Sequence, residues 1–257
     1  ESARWLLKNR DEEKARKALE RIGWKRFADS SIAKINTTLS SGELGKVNFK
    51  DLLKNPVPKL IGIGVFLAFL QQWSGLNVVI YYAADIFQAA GYNLKQMMLN
   101  IVVIGGGMVL SVFITLFTVD RFGRKKLLLI GTGAMTILYA LIGFSFKVDQ
   151  GGWVIVLLVL TNVMFYSFTL APLLWVVLSE IFPTRIRGAA ISIGALAHWV
   201  GNFTLTYSFP TIKANLGWAN NFWLYGLICF VGFIVIYFIL PETKGKSLEQ
   251  LEKEFGG

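Results

Sequence analysis

Six long apolar runs, at roughly 60–84, 98–119, 127–146, 153–178, 189–211 and 222–240, decide what this chain can fold into. Each has about 19 to 26 residues, and about 20 residues rising 1.5 Å apiece cross the ~30 Å hydrocarbon core of a bilayer. The runs are apolar all round rather than striped, so a helix built from one has no polar face to offer water. With 54% apolar residues and a mean hydropathy of +0.53, the chain reads as an all-α membrane protein with six transmembrane helices and short cytoplasmic helices.

Lysine and arginine say which side is which. Six spans put residues 1–59, "DRFGRKK" (120–126), "PTRIRG" (183–188) and the segment from Pro241 on one side, and these hold 23 of the 26 basic residues. The opposite loops carry only Lys95, Lys147 and Lys213. By the positive-inside rule the basic side is cytoplasmic, which places both chain ends there in a cell (plasma or inner) membrane protein. The net charge of +10 therefore reports topology and proximity to anionic lipid, not a nucleic-acid partner.

Three regions follow. Residues 1–59 are expected to form a cytoplasmic helical linker domain, with helices near 11–22, 28–39 and 47–55; "DEEKARKALERI" has acids early and bases late, as the helix dipole prefers. Residues 60–240 form the six-helix bundle. Residues 241–257 form a cytoplasmic tail in which Ser247 and Gln250 predict a short capped helix near 248–255.

Within the spans the polar inventory is neutral. The first run reads "FLAFLQQWSGLNVVIYYAADIF" and places Gln71, Gln72 and Asn77 in hydrocarbon, where an unpartnered amide costs several kcal/mol. At 100° per residue Gln71 and Asn77 lie about 120° apart, so an unbroken helix cannot aim the three amides at one target. Gly75 offers a place to unwind, and irregular backbone at membrane depth is tolerated where it lines a wet cavity. Pro172 in the fourth span must free a carbonyl, with Trp175 one turn on. The fifth span adds His198 and Asn202 at i, i+4, with Trp199 beside them. Amides supply donors and acceptors to hydroxyl pairs, and indole covers the apolar face of a sugar ring. Carboxylate or phosphate ligands would call for Arg or Lys.

Other chemistry is poorly represented. The lone histidine and lone cysteine, Cys229, lie on different spans and form no metal cluster, and no nucleophile–base pair or cofactor motif stands out, so neither an enzyme nor a cofactor is expected. "GGGMVLS" (105–111) lacks the lysine of a phosphate loop and predicts close helix packing.

Taken in order, "ESARWLL", "QQWSGLNVVIYY", "DRFGRKK", "EIFPTRIRG" and "PETKGKSLEQLE" resemble the signature motifs of the sugar porters of the major facilitator superfamily, across nearly the whole chain. The resemblance implies one half, the carboxyl-terminal one, of a twelve-helix transporter, whose partner is the amino-terminal six-helix half. It implies monosaccharide (hexose or pentose) transport by alternating access as a sugar/proton symporter. A polyol or inositol porter and a non-transporting sugar sensor are the alternatives. Residue by residue it implies sugar ligands at Gln71, Gln72, Asn77, Trp175 and Asn202, which the reading above extends to His198 and Trp199. It implies gating aromatics at Tyr81 and Tyr82, and a cytoplasmic charge latch of Asp120, Arg124, Glu180 and Arg187 with Glu1, Arg4 and Glu242. Three positions depart from the family pattern: Met108 replaces a common sugar-binding Asn, Ser167 stands where some relatives have Glu, and His198 where others have Gln, Asn or Thr. For His198 a neutral, ligand-orienting imidazole is favoured over a proton carrier.

Overall fold

The computed structural model describes residues 3–9, 11–40, 52–53, 55–149, 152–183 and 186–245. Three short helices come first: α1 (Ala3–Lys8), α2 (Glu12–Glu20) and α3 (Lys25–Ser40). Asp11 caps α2, its carboxylate accepting from the Lys14 N–H at 3.2 Å, and Leu6, Leu7, Ala15, Leu19, Ala28 and Ile32 make a small core among the three. An Arg16–Asp29 ion pair joins α2 to α3. Thus α2 falls where the charge pattern predicts it, α3 starts earlier than expected, and α1 was not foreseen. Most of the 47–55 segment and all of the 248–255 segment lie outside the described residues.

The first span is broken into α4 (Val57–Trp73), α5 (Leu76–Tyr81) and α6 (Ala83–Ala89). Then come α7 (Leu94–Phe122), α8 (Arg124–Lys147), α9 (Trp153–Phe168), α10 (Leu170–Ile181) and α11 (Arg187–Ile239). Five of the helical segments are long and apolar enough to cross a bilayer, but α11 has 53 residues. At 1.5 Å per residue that is about 80 Å, more than twice a hydrocarbon core. Gly217 (φ 73°, ψ 176°) interrupts it, so α11 supplies both the fifth and sixth spans and the count of six holds.

Two expected loops are tighter than their composition suggests. The 211–221 connection stays helical on both sides of Gly217, with Asn215 and Asn220 donating back to the Thr211 and Leu216 carbonyls. The 120–126 connection shrinks to Gly123 alone (φ 89°), and a Cβ there would lie 2.5 Å from the Glu242 carboxylate. Only glycine accommodates both that dihedral and that approach.

The packing expectation for Gly105–Gly107 holds at one residue only. A Cβ on Gly107 would meet Leu160 at 2.8 Å, whereas Gly105 and Gly106 face open space. Consecutive helical residues point 100° apart, so one of the three can face α9. On the α9/α10 side, the helix breaks at Thr169 (φ −118°, ψ −81°), three residues before Pro172. The missing Pro172 N–H leaves the Phe168 carbonyl without its helical donor, and the Thr115 hydroxyl of α7 supplies one at 2.9 Å.

At the end of the bundle away from the α7/α8 connection an aromatic chain crosses it. Tyr139 meets Phe222, Phe222 stacks on Phe146, and Phe146 stacks on Trp218. Trp218 then meets Phe209, which packs on Tyr82 at 4.4 Å between ring centroids. This ties α8 and both limbs of α11 to the second break in the first span.

Candidate functional site

The break at Gly75 shapes the site. Gly75 takes φ 89°, the Ser74 hydroxyl donates to the Gln71 carbonyl at 2.7 Å, and the Gly75 N–H reaches the Gln72 carbonyl at 3.3 Å. The end of α4 is thereby satisfied locally and α5 starts in a new direction. A further break at Tyr82, which the sequence did not signal, separates α5 from α6.

The three amides of this span then part company. Gln71 turns to α10, its Nε2 donating to the carbonyls of Leu170 and Ala171 at 3.0 Å each. In this structure it braces two spans instead of facing a cavity. Gln72, 2% exposed, is the hub. Its Oε1 accepts from Asn202 Nδ2 at 3.0 Å and from Asn77 Nδ2. Its Nε2 lies 3.3 Å from Gln71 Oε1 and 3.0 Å from His198 Nδ1. Asn77 and Gln72 are five residues apart and would diverge on a regular helix; the break at Gly75 lets them meet. An amide N–H only donates, so the His198 nitrogen facing it is an acceptor, as in a neutral imidazole.

The aromatic residues flank this network. Trp175 sits 5.4 Å from the His198 ring, tilted, and stays partly exposed. Trp199 meets His198 edge-on at 5.7 Å but is 66% exposed, and with Asn202, Phe203 and Tyr82 it lines a cleft of about 640 Å³. Tyr81 points outward, 58% exposed, whereas Tyr82 is half-buried against Phe209. Of the expected ligands, Gln72, Asn77, His198 and Asn202 therefore converge, with Trp175 at their side. Met108 packs against the core and lies apart from these contacts.

Beside the α7/α8 connection Arg124 gathers three segments. Its Nη2 lies 3.0 Å from Asp120 and 2.8 Å from Glu180, and its backbone N–H donates to Glu242 at 2.8 Å. Thr243 completes the group by donating to Glu180 at 2.6 Å. The motif reading missed Thr243, although it adjoins Glu242 in "PETKG". Arg187 stands apart, its Nε donating to the Phe182 carbonyl at 3.1 Å. Glu1 and the Arg4 side chain lie outside the described residues.

A helical bundle with a discontinuous first span, a neutral amide hub at the break and a charged clasp beside the α7/α8 connection defines an integral membrane protein built as one half of a major facilitator fold. The family model described as "Sugar (and other) transporter" matches residues 1–255, and the chain belongs to that family. It is 33% identical over 258 residues to the D-xylose-proton symporter of Escherichia coli K12, covering 98% of this chain and 52% of that protein. To the arabinose-proton symporter of Bacillus subtilis it is 32% identical over 254 residues, covering 98% and 54%. With the facilitated trehalose transporter Tret1 of Culex quinquefasciatus it shares 35% over 269 residues, covering 100% and 52%. Among solved structures, the proton:xylose symporter XylE bound to 6-bromo-6-deoxy-D-glucose superposes with a TM-score of 0.82 at 32% identity, covering 99% of this chain and 54% of that one. The chain spans about half the length of the relatives it matches.

Proposed function

We propose that this chain is the carboxyl-terminal half of a sugar/proton symporter that moves a hexose or pentose across the cell membrane by alternating access. The observation that carries the reading is the Gln72 hub beside Trp175. A neutral, preformed amide network at a helix break can exchange its internal hydrogen bonds for sugar hydroxyls without burying a charge. Gln72, Asn77, His198 and Asn202 would bind hydroxyls, Trp175 and Trp199 would cover ring C–H faces, and Gln71 would hold α10 in place while offering its remaining acceptor capacity. Tyr81 and Tyr82 would gate the external side. Asp120, Arg124, Glu180 and Glu242, with Arg187, Glu1 and Arg4, would form the cytoplasmic latch against the amino-terminal half.

In this reading residues 1–59 are a cytoplasmic linker, 60–240 the bundle and 241–257 a cytoplasmic tail, with both ends of the chain inside. Proton coupling draws support from the similarity to the D-xylose-proton and arabinose-proton symporters. The test is counterflow by the full-length transporter in proteoliposomes with competing sugars and polyols. Gln72→Ala and Asn77→Ala should each weaken sugar binding by about 1–3 kcal/mol, the cost of leaving polar partners unpaired. Unchanged affinity in both overturns the site. Exclusive inhibition by inositol would identify a polyol porter, and binding without flux a sensor.

A further inference from the structure

Behind α5 stands a second polar group that the site above does not use. Tyr139 on α8, Asn162 on α9, and Asn221 and Tyr225 on α11 are each 0% exposed. Both hydroxyls and both atoms of each carboxamide, six polar atoms in all, find no hydrogen-bond partner among the described residues. The two tyrosine rings are 5.8 Å apart. Asn162 lies beside the Tyr139 hydroxyl and Asn221 beside the Tyr225 hydroxyl, each close enough to interact but without the geometry of a well-formed hydrogen bond.

The group touches the first of the two breaks that bound α5. A Cβ on Gly75 would fall 2.7 Å from the Tyr225 ring and 3.0 Å from the Tyr139 hydroxyl, so the two tyrosines press directly on the first break.

Buried polar atoms are almost always paired, and in a bilayer bulk water cannot do the pairing. Two hydroxyls and two carboxamides offer donors and acceptors in mixed orientation, which suits a ligand that both gives and takes hydrogen bonds. No carboxylate is present to attract a cation and no basic group to attract an anion. We infer that this cluster is an internal water site, in which bound water bridges Tyr139 to Asn162 and Tyr225 to Asn221. The short helix carrying Asn77 and Tyr81 on its front thus rests at the back on exchangeable water-mediated bonds, which re-form after a small shift more readily than direct side-chain pairs. That consequence rests on the reading of α5 as part of the sugar site; the water site itself does not.

The test uses the full-length transporter in nanodiscs. X-ray radiolytic labelling read by mass spectrometry should modify Tyr139 and Tyr225 despite their zero exposure, and leave the equally buried Phe182 unmodified. Asn162→Leu and Asn221→Leu should reduce labelling of the facing tyrosine severalfold. Should those variants fail to fold, Tyr139→Phe and Tyr225→Phe keep the question open to measurement. A hydrated hydroxyl stabilises, so its removal lowers the thermal midpoint, whereas removing a dry, unpaired one raises it. Absent labelling at both tyrosines, or a raised midpoint in both Phe variants, overturns the inference. A midpoint that depends on sodium, with choline as the replacement, would assign the site to a cation and overturn it too. None of these readouts needs sugar or flux, so their failure is separable from failure of the transport reading.

Discussion

Gly75→Ala tests the geometry on which the candidate site depends. Two costs combine. A φ of 89° is left-handed, and a residue with a Cβ gives up about 1–2 kcal/mol to stay there. The added methyl would also sit 2.7 Å from the Tyr225 ring and 3.0 Å from the Tyr139 hydroxyl, and overpacking of that kind costs about 1–3 kcal/mol. Neither ring can retreat easily, since Tyr139 is also packed on Phe222 and both tyrosines are fully buried. Together the change should cost about 2–5 kcal/mol, or force α4 and α5 into a continuous helix. The second route would turn Asn77 away from Gln72 and separate the hub's partners. Thermal unfolding of the purified full-length protein and sugar binding by calorimetry read the two routes independently. Tyr225→Leu in the Gly75→Ala background should recover only part of the loss, because it relieves the clash and leaves the dihedral strained. A Gly75→Ala protein with wild-type stability and affinity would refute the argument that the break is built on this glycine.

The Arg124 clasp and the α9/α10 break make separate predictions. Arg124→Ala removes contacts to Asp120 and Glu180 and should shift the transporter towards inward-open, read as greater labelling of cysteines placed in the cytoplasmic cavity. Unaltered labelling counts against a latch. Thr115→Val strips the Phe168 carbonyl of its donor and should cost about 1–3 kcal/mol of stability while leaving sugar affinity unchanged. In the amino-terminal helices, hydrogen bonding from Lys14 holds the Asp11 carboxyl below its ordinary range. A depressed carboxyl contributes above its unfolded pKa, about 3.9, and the contribution is lost as pH falls through the lower folded value. Asp11→Asn should therefore remove part of the acid sensitivity of α2, measured by amide exchange between pH 5 and pH 3.

Much of this was legible because a bilayer narrows the choices. Apolar length marked the spans, since that signal acts on the whole segment. The break at Gly75 could be read because three amides in seven residues are intolerable on a straight helix in lipid. The break at Tyr82 could not, because nothing in "VVIYYAAD" forbids continuous helix and the ring that Tyr82 packs on, Phe209, is distant in sequence. The orphan carbonyl at Phe168 follows from Pro172 alone, but its donor sits 53 residues earlier, on α7. Likewise Tyr139 and Tyr225 look like ordinary aromatic residues until α8 and α11 bring them together against Gly75.

The divergence of Gln71 and Gln72 carries the site furthest. Adjacent on α4, they point about 100° apart, so one can serve the scaffold while the other serves the cavity. Gln71 fastens α4 to the carbonyls of Leu170 and Ala171, just where the fourth span changes direction. Gln72 holds α5 through Asn77 and α11 through Asn202 and His198. Through the Gln71–Gln72 contact, α10, α4, α5 and α11 share one hydrogen-bonded chain. A sugar that replaces the bonds at Gln72 would release α5 and α11 from each other but leave α4 fixed to α10. Ligand binding would then loosen α5 and the neighbouring part of α11 while the rest of the bundle stayed whole. That asymmetry is what a half required to close over its ligand without unfolding its core would need.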